Sequence, residues 1–377
     1  MFNFRKSQPT IGFDLGLEKL NMVQITSVLG RPKIQAALSD YHDASYDLLL
    51  AEPERMKALI KRSFSSVPFV GRTVVSSMPN TKLQLMFVNY QCKPGQNEIE
   101  ALLTAVSNRL NSDLHDYVVD YVPITPMIEE HQMRMALVAL VKRDDVENYL
   151  DLLKKCGLKV AALEIGPIAI RRLISSMAGE SEPEKTLVIN FGTQKSYLTV
   201  LWHGDILLDR PLNFGLDTIL QALGQALDIE PKLALKMIHD YGLSQKVIAD
   251  TFDSMDETDI DTDTFDIRNE SNDEEMIKII CDVLTPSFTQ LAAEIREVLL
   301  YIASETRGGA VEHIYLLGSL ARLRGLEQVI DRLISIPATI LNPFYGFSVE
   351  GMLEDARDLG PLSGIAVATG LALRSVK

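Results

Sequence analysis

Three short strings carry residues that could do chemistry. Asp14 stands between two glycines in Ile11-Gly12-Phe13-Asp14-Leu15-Gly16. Asn190 precedes Gly192, Thr193 and Lys195 in Val188-Ile189-Asn190-Phe191-Gly192-Thr193-Gln194-Lys195. Gly318 and Ser319 close the apolar run Ile314-Tyr315-Leu316-Leu317. Each string is a strand-type run ending in a glycine turn. Glycine lets turn N–H groups approach a phosphate closely, and a carboxylate beside them can hold hydrated Mg²⁺. Ligands of open α/β sheets bind at the carboxyl ends of the strands, so the three turns are expected to converge on one cleft. A single Asp-x-Gly turn is weak evidence, because most such turns only reverse the chain.

The elements that must position these turns read as two similar halves. In the first, a strand over 10–16 pairs with the alternating run 20–25, and a helix follows over 53–64. Strands at 73–78 and 83–88, a helix over 97–110 and a buried-type strand at 134–141 come next. A helix over 143–156 ends at Gly157, a strand covers 160–165, and Pro167 opens another helix where its missing N–H costs little. The Gly-, Ser-, Glu- and Pro-containing stretch 178–185 looks like a seam. The second half repeats the opening with strands at 187–192, 197–202 and 206–210, the last two joined by a hairpin at His203-Gly204-Asp205. Helices over 216–227, 231–241 and 274–304, a strand at 314–317 and a helix over 326–333 complete it. Two strand–turn–strand openings in corresponding places suggest a duplicated domain.

Composition fits this reading. A chain of 377 residues, 46% hydrophobic and 23% charged, is an ordinary globular sequence long enough for two lobes. The net charge of −14 belongs mostly to one segment: Asp250 to Glu275 holds 12 acidic residues and one basic, the rest 39 and 36. Neither part has the basic stripe of a nucleic-acid binder. Cys92, Cys156 and Cys281 are far apart with no CxxC pair, which suits a reducing compartment. No export signal or membrane-spanning run is evident, so a cytoplasmic location is expected, with any membrane attachment supplied by a partner. Asp259 to Glu270 has the spacing of a calcium loop, but Thr264 stands where the turn needs glycine, so a disordered acidic insertion is the reading preferred. The six histidines show no HExxH spacing, and no GxSxG elbow is present.

The order of the three turns resembles the two phosphate motifs and the adenosine motif of the actin, Hsp70 and sugar-kinase superfamily, the last being Tyr315 to Leu326. Within it the chain resembles PilM, the actin-like component of type IV pilus assembly. Asn213-Phe214-Gly215-Leu216-Asp217, Ile336 to Phe344 with its Asn-Pro-Phe ending, and Gly364 to Arg374 carry that resemblance. It implies an α/β, actin-like (ribonuclease H-like, duplicated) two-lobed fold with a small inserted subdomain in each lobe. The first lobe would span 1–180, with its subdomain at about 83–160. The second would span 181–377, with the acidic insertion at 250–275 and a C-terminal helix returning to the first lobe.

The resemblance also places ATP and Mg²⁺ on Asp14, Gly16, Asn190, Gly192, Thr193, Lys195, Lys236, Gly318 and Ser319. Four departures point to a weakened site in which ATP binding is in question and hydrolysis is doubtful. Leu17, Glu18 and Asn21 replace the small hydroxyl residues and the lysine of the first loop. Asn190 replaces an aspartate and brings no charge for Mg²⁺. Leu320 stands in a glycine run, adding bulk beside the purine, and Leu233 replaces a ribose-contacting glutamate. The function implied is a cytoplasmic docking subunit, single or in a ring or other homo-oligomer. It would clasp the N-terminal tail of a PilN-like inner-membrane protein beside other pilus assembly proteins. A working ATPase switch, and the actin-like component of a type II secretion or mannose-sensitive pilus system, stay open as alternatives.

Overall fold

Two five-stranded sheets repeat one strand order. The first runs β3 (Arg31–Tyr41), β2 (Lys19–Val28), β1 (Ile11–Leu15), β4 (Thr73–Ser77), β8 (Lys159–Glu164). The second runs β11 (Asp205–Leu212), β10 (Ser196–Trp202), β9 (Lys185–Phe191), β12 (His313–Gly318), β13 (Ala338–Ile340). In both, the strand that opens the sheet lies at the centre with its hairpin partners on one side and parallel strands on the other. The duplication expected from the two openings is thus present in the topology. The computed structural model describes residues 9–28, 31–42, 44, 46–92, 95–124, 133–177, 184–244, 272–348 and 362–376. Most of the acidic segment 250–275, including the calcium-loop spacing at 259–270, and most of the seam at 178–185 lie outside them. Two units are resolved, one of Met1–Glu182, Leu201–Asp209 and Asn342–Lys377, the other of Pro183–Val200 and Arg210–Leu341.

In the first unit, α1 (Tyr46–Ala51), α2 (Pro53–Ser66) and α4 (Arg143–Lys155) carry apolar faces onto the first sheet. Phe13, Leu20, Met22, Met56, Ile60, Tyr149 and Leu153 form the middle of that core. A separate antiparallel sheet, β5 (Gln84–Gln91), β7 (Met133–Lys142) and β6 (Tyr117–Ile124), is covered on one face by α3 (Glu98–Leu110). Asn97 caps α3 by accepting from the Ile99 N–H at 2.9 Å. Val88, Tyr90, Leu102, Val106, Ala136, Val138 and Leu140 make its own core. In the second unit, α6 (Leu216–Leu227), α7 (Pro231–Tyr241), α8 (Asn272–Glu305) and α9 (Leu326–Ile334) accompany the second sheet.

Two strands escape the periodicity reading. β3 begins Arg31-Pro32-Lys33 and is rich in small residues, so its buried positions Ile34, Ala36 and Ala37 do not alternate cleanly. β6 contains Pro123, which is tolerated because β6 is an edge strand.

The C-terminal helix α10 (Ala366–Ala372) packs on α5 (Gly166–Met177), β1, β2 and β4. Its approach is too close for side chains. A Cβ on Gly12 would lie 1.9 Å from the Ala368 carbonyl oxygen, and one on Gly370 would lie 2.0 Å from that of Ala169. Buried Glu164, at the end of β8, accepts two bonds from Arg172 of α5 at 2.8 and 3.0 Å and is also bonded by Arg374. Arg172 donates in addition to the Gly370 carbonyl at 2.9 Å. Two guanidinium groups on one carboxylate fix the helix in register. Gly12→Ala is expected to destabilise the first unit by about 3 kcal/mol, because backbone on both sides leaves nothing flexible to give way. A urea midpoint unchanged from wild type would contradict this packing.

Candidate functional site

The carboxyl edge of the first sheet carries a row of polar side chains, one from each of four neighbouring strands. Asp14 faces Asn21 across β1 and β2, and Asn21 faces Ser39 across β2 and β3. Ser77 ends β4 beside them. The Ser77 hydroxyl donates to Asp14 Oδ1 at 2.7 Å, Asn21 Nδ2 to Asp14 Oδ2 at 3.4 Å, and the Ser39 hydroxyl to Asn21 Oδ1 at 2.8 Å. Behind the row, Ser76 and Tyr149 share a buried hydrogen bond of 3.0 Å. Burial pushes the Asp14 carboxyl above its ordinary 3.8, against the pull of the Ser77 and Asn21 bonds.

The adjoining turn is closed by its own backbone and by a histidine. The Gly16 N–H donates to the Lys19 carbonyl at 2.8 Å, and His42 Nε2 lies 3.2 Å from the Gly16 carbonyl. Asn21 stands at the position the resemblance gives to a phosphate-binding lysine, yet its amide is committed to the polar row. Ser77 and Ser39 were not singled out in the sequence. Ser77 could have been, because it ends a strand parallel to β1 just before the Pro79-Asn80 turn and so reaches the same edge.

The carboxyl edge of the second sheet brings together the other two strings. Leu317 pairs with Asn190 and Gly318 with Phe191 in parallel register. Gly318 has φ +86°, and a Cβ there would lie 2.0 Å from the Phe191 carbonyl oxygen and 2.8 Å from Asn190 Oδ1. Only glycine fits that corner. Ser319 donates to the Phe191 carbonyl through its N–H at 2.8 Å and its hydroxyl at 3.2 Å.

The turn after β9 is held by α6. The N–H groups of Leu216 and Asp217 donate to the carbonyls of Gly192 and Thr193 at 3.1 and 2.9 Å, and a Cβ on Gly215 would lie 2.4 Å from the Thr193 oxygen. Lys195 on this turn and Lys236 on α7 are exposed, as is Leu233 at 49%. α7 is tied to the segment after Gly318. Arg324 bonds the Asp240 and Tyr241 carbonyls, and the Leu243 N–H donates to the Arg324 carbonyl at 2.8 Å. Leu320 is 3% exposed in a short 3-10 turn over Leu320–Arg322.

As a seat for hydrated Mg²⁺ each edge taken by itself is poor. The row on the first edge offers one carboxylate, with both oxygens already accepting, and the second edge has the neutral Asn190 where the resemblance expects an acid. Asp14 should leave a mark on stability. Its raised pKa means the folded state holds the proton to higher pH than the unfolded chain. The stability it contributes is therefore present at low pH and lost as pH rises from 3.8 through the raised value. The difference in unfolding free energy between wild type and Asp14→Asn should shift against wild type over that window and then level. A difference constant with pH would contradict the burial of this group.

A family model described as type IV pilus assembly protein PilM matches residues 12–247 and 258–376. Among solved structures, a chain of a PilM-PilN type IV pilus biogenesis complex is similar over 98% of this chain and 99% of its own, with 20% identity and a TM-score of 0.74. The ethanolamine utilization protein EutJ from Carboxydothermus hydrogenoformans is similar over 97% and 89%, with 13% identity and a TM-score of 0.53. The fold is the actin-like one that the order of the glycine turns implied. No helix among the described residues is long and apolar enough to cross a membrane. With the match covering nearly its whole length, the chain belongs to the PilM family of type IV pilus assembly proteins.

Proposed function

We propose that this chain is a docking subunit of type IV pilus assembly, working on the cytoplasmic face of the inner membrane by clasping the N-terminal tail of a PilN-like protein. Family membership and likeness to a chain solved in a PilM-PilN complex support the partner. The observation that carries the reading is the second face of the β5–β7–β6 sheet. α3 covers one face, so the alternate side chains point away from it. On that side Phe87, Leu137 and Val122 stand in one row across the three strands. Leu85, Phe87 and Val122 are half-buried and Val118 is 37% exposed. Leu137 is itself buried, so Leu85, Phe87, Val118 and Val122 are the side chains that a short peptide would meet on this face.

In this reading the cleft edges serve as scaffold. Asp14, Gly16, Asn190, Gly192, Thr193, Lys195, Lys236, Gly318 and Ser319 keep the outline of a nucleotide site, ATP binds weakly if at all, and hydrolysis is negligible. The competing reading, an ATP-driven switch, draws on Asp14 at the end of β1 and on exposed Lys195 and Lys236. Calorimetric titration separates them. A synthetic peptide of the cognate PilN-like tail should bind, and Phe87→Glu should weaken it at least about tenfold without loss of circular dichroism. ATP should give no Mg²⁺-dependent heat. Tail binding that ignores Phe87→Glu would remove this face from the reading, and Mg²⁺-dependent ATP binding would favour the switch.

A further inference from the structure

Cations that are scattered in the sequence meet on one surface of the first unit. Lys57 and Lys61 lie on the outer side of α2, Lys154 and Lys155 in the last turn of α4, Arg72 just before β4 and Lys159 at the start of β8. All six are exposed. Three contacts bring these elements together. The Cys156 thiol at the exit of α4 reaches the Pro53 carbonyl at the start of α2 at 3.8 Å. The Lys159 N–H donates to the Arg72 carbonyl at 2.9 Å. The Arg72 guanidinium lies 3.8 Å from the centre of the Phe64 ring, one turn beyond Lys61 on α2.

The charges are largely uncompensated. Lys57 makes a loose 3.7 Å pair with Glu54, while Lys61, Arg72, Lys154, Lys155 and Lys159 have no ion-pair partner among the described residues. Glu52, Glu54 and Asp151 are nearby exposed acids, Glu52 being paired with Arg55. The helix dipole accounts for Lys154 and Lys155 at the end of α4, but not for Lys61, Arg72 or Lys159. Strand direction fixes where this surface lies. β4 and β8 start here, whereas β1 ends at Asp14, so Arg72, Lys159 and, just before β8, Lys154 and Lys155 lie at the amino edge of the sheet, away from the polar row.

We propose that this amino-edge face of α2, α4, β4 and β8 docks on the anionic phospholipid headgroups of a membrane. A chain of net charge −14 is repelled by such a surface as a whole, but at physiological salt only charges within about 8 Å of it count. Local Lys and Arg attract it, each strengthening binding about fivefold. The proposal rests on the docking reading only in that a membrane protein brings the bilayer within reach; binding itself needs no tail.

Flotation of the full chain, without any tail peptide, tests it. The protein should float at about 0.1 M salt with vesicles of equal parts phosphatidylglycerol and phosphatidylcholine, and not with phosphatidylcholine alone. Lys61→Glu/Lys154→Glu/Lys155→Glu should lower binding about a hundredfold, while Lys232→Glu/Lys278→Glu/Arg332→Glu, with the same net charge, should bind as wild type. Failure to float, equal flotation with neutral vesicles, or equal loss in the two triple variants would overturn the proposal. So would binding of a double-stranded DNA fragment in the absence of vesicle binding. Because the tail is absent, each result leaves the PilN-like reading to stand or fall on its own titration.

Discussion

The first unit is built around a helix that has almost no room. α10 comes so near β1 and α5 that hydrogen is the only side chain Gly12 and Gly370 can carry. Such contact gains dispersion along both backbones but gives up all tolerance, since a packed interior cannot yield to an added carbon at either point. Glu164 then supplies direction to what close packing supplies in proximity. Glu164 is a buried carboxylate that would cost about 3–5 kcal/mol if left with no partner at all, and through Arg172 and Arg374 it fastens the last residues of the described chain to the first sheet. β1, whose end carries Asp14, is thereby fixed from behind.

This changes how the first glycine string is understood. Gly12 reads in the sequence as part of a phosphate-binding motif, yet its absent side chain makes space for a helix. Asp14 reads as a lone metal ligand, yet it sits in a chain of neutral donors running from Ser39 through Asn21 to Ser77. Asparagine at 21 completes that chain by donating to the carboxylate and accepting from a hydroxyl, which a lysine cannot do. One departure from the family pattern, Asn21, is therefore not an isolated loss: at this edge it joins a set of bonds that links the strand ends.

Much of the fold was legible because strong local signals agreed with tertiary need. Pro53, Pro167 and Pro231 stand at helix starts, Gly157 and Gly242 at helix ends, alternation marks β2 and a continuous apolar run marks β7. β3 was not legible, since its small residues are buried by neighbours rather than by their own hydrophobicity. Ser39 escaped for a related reason. A hydroxyl acquires meaning only when register places it beside a charge, and register is not written in either strand alone. The electropositive face was invisible for the same cause: its members lie between positions 57 and 159 and no two elements reveal the arrangement.

The three-stranded sheet has a further consequence. β7 is a shared wall, with Leu140 in the core under α3 and Val141 in the core of the first sheet. The row of Phe87, Leu137 and Val122 lies on the face turned from α3, outside the cluster that holds the subdomain together. Mutations of its outer members can therefore accumulate without eroding either interior. A lineage could retune which peptide it accepts, residue by residue and in step with a changing counterpart, while the architecture that presents the row is inherited intact.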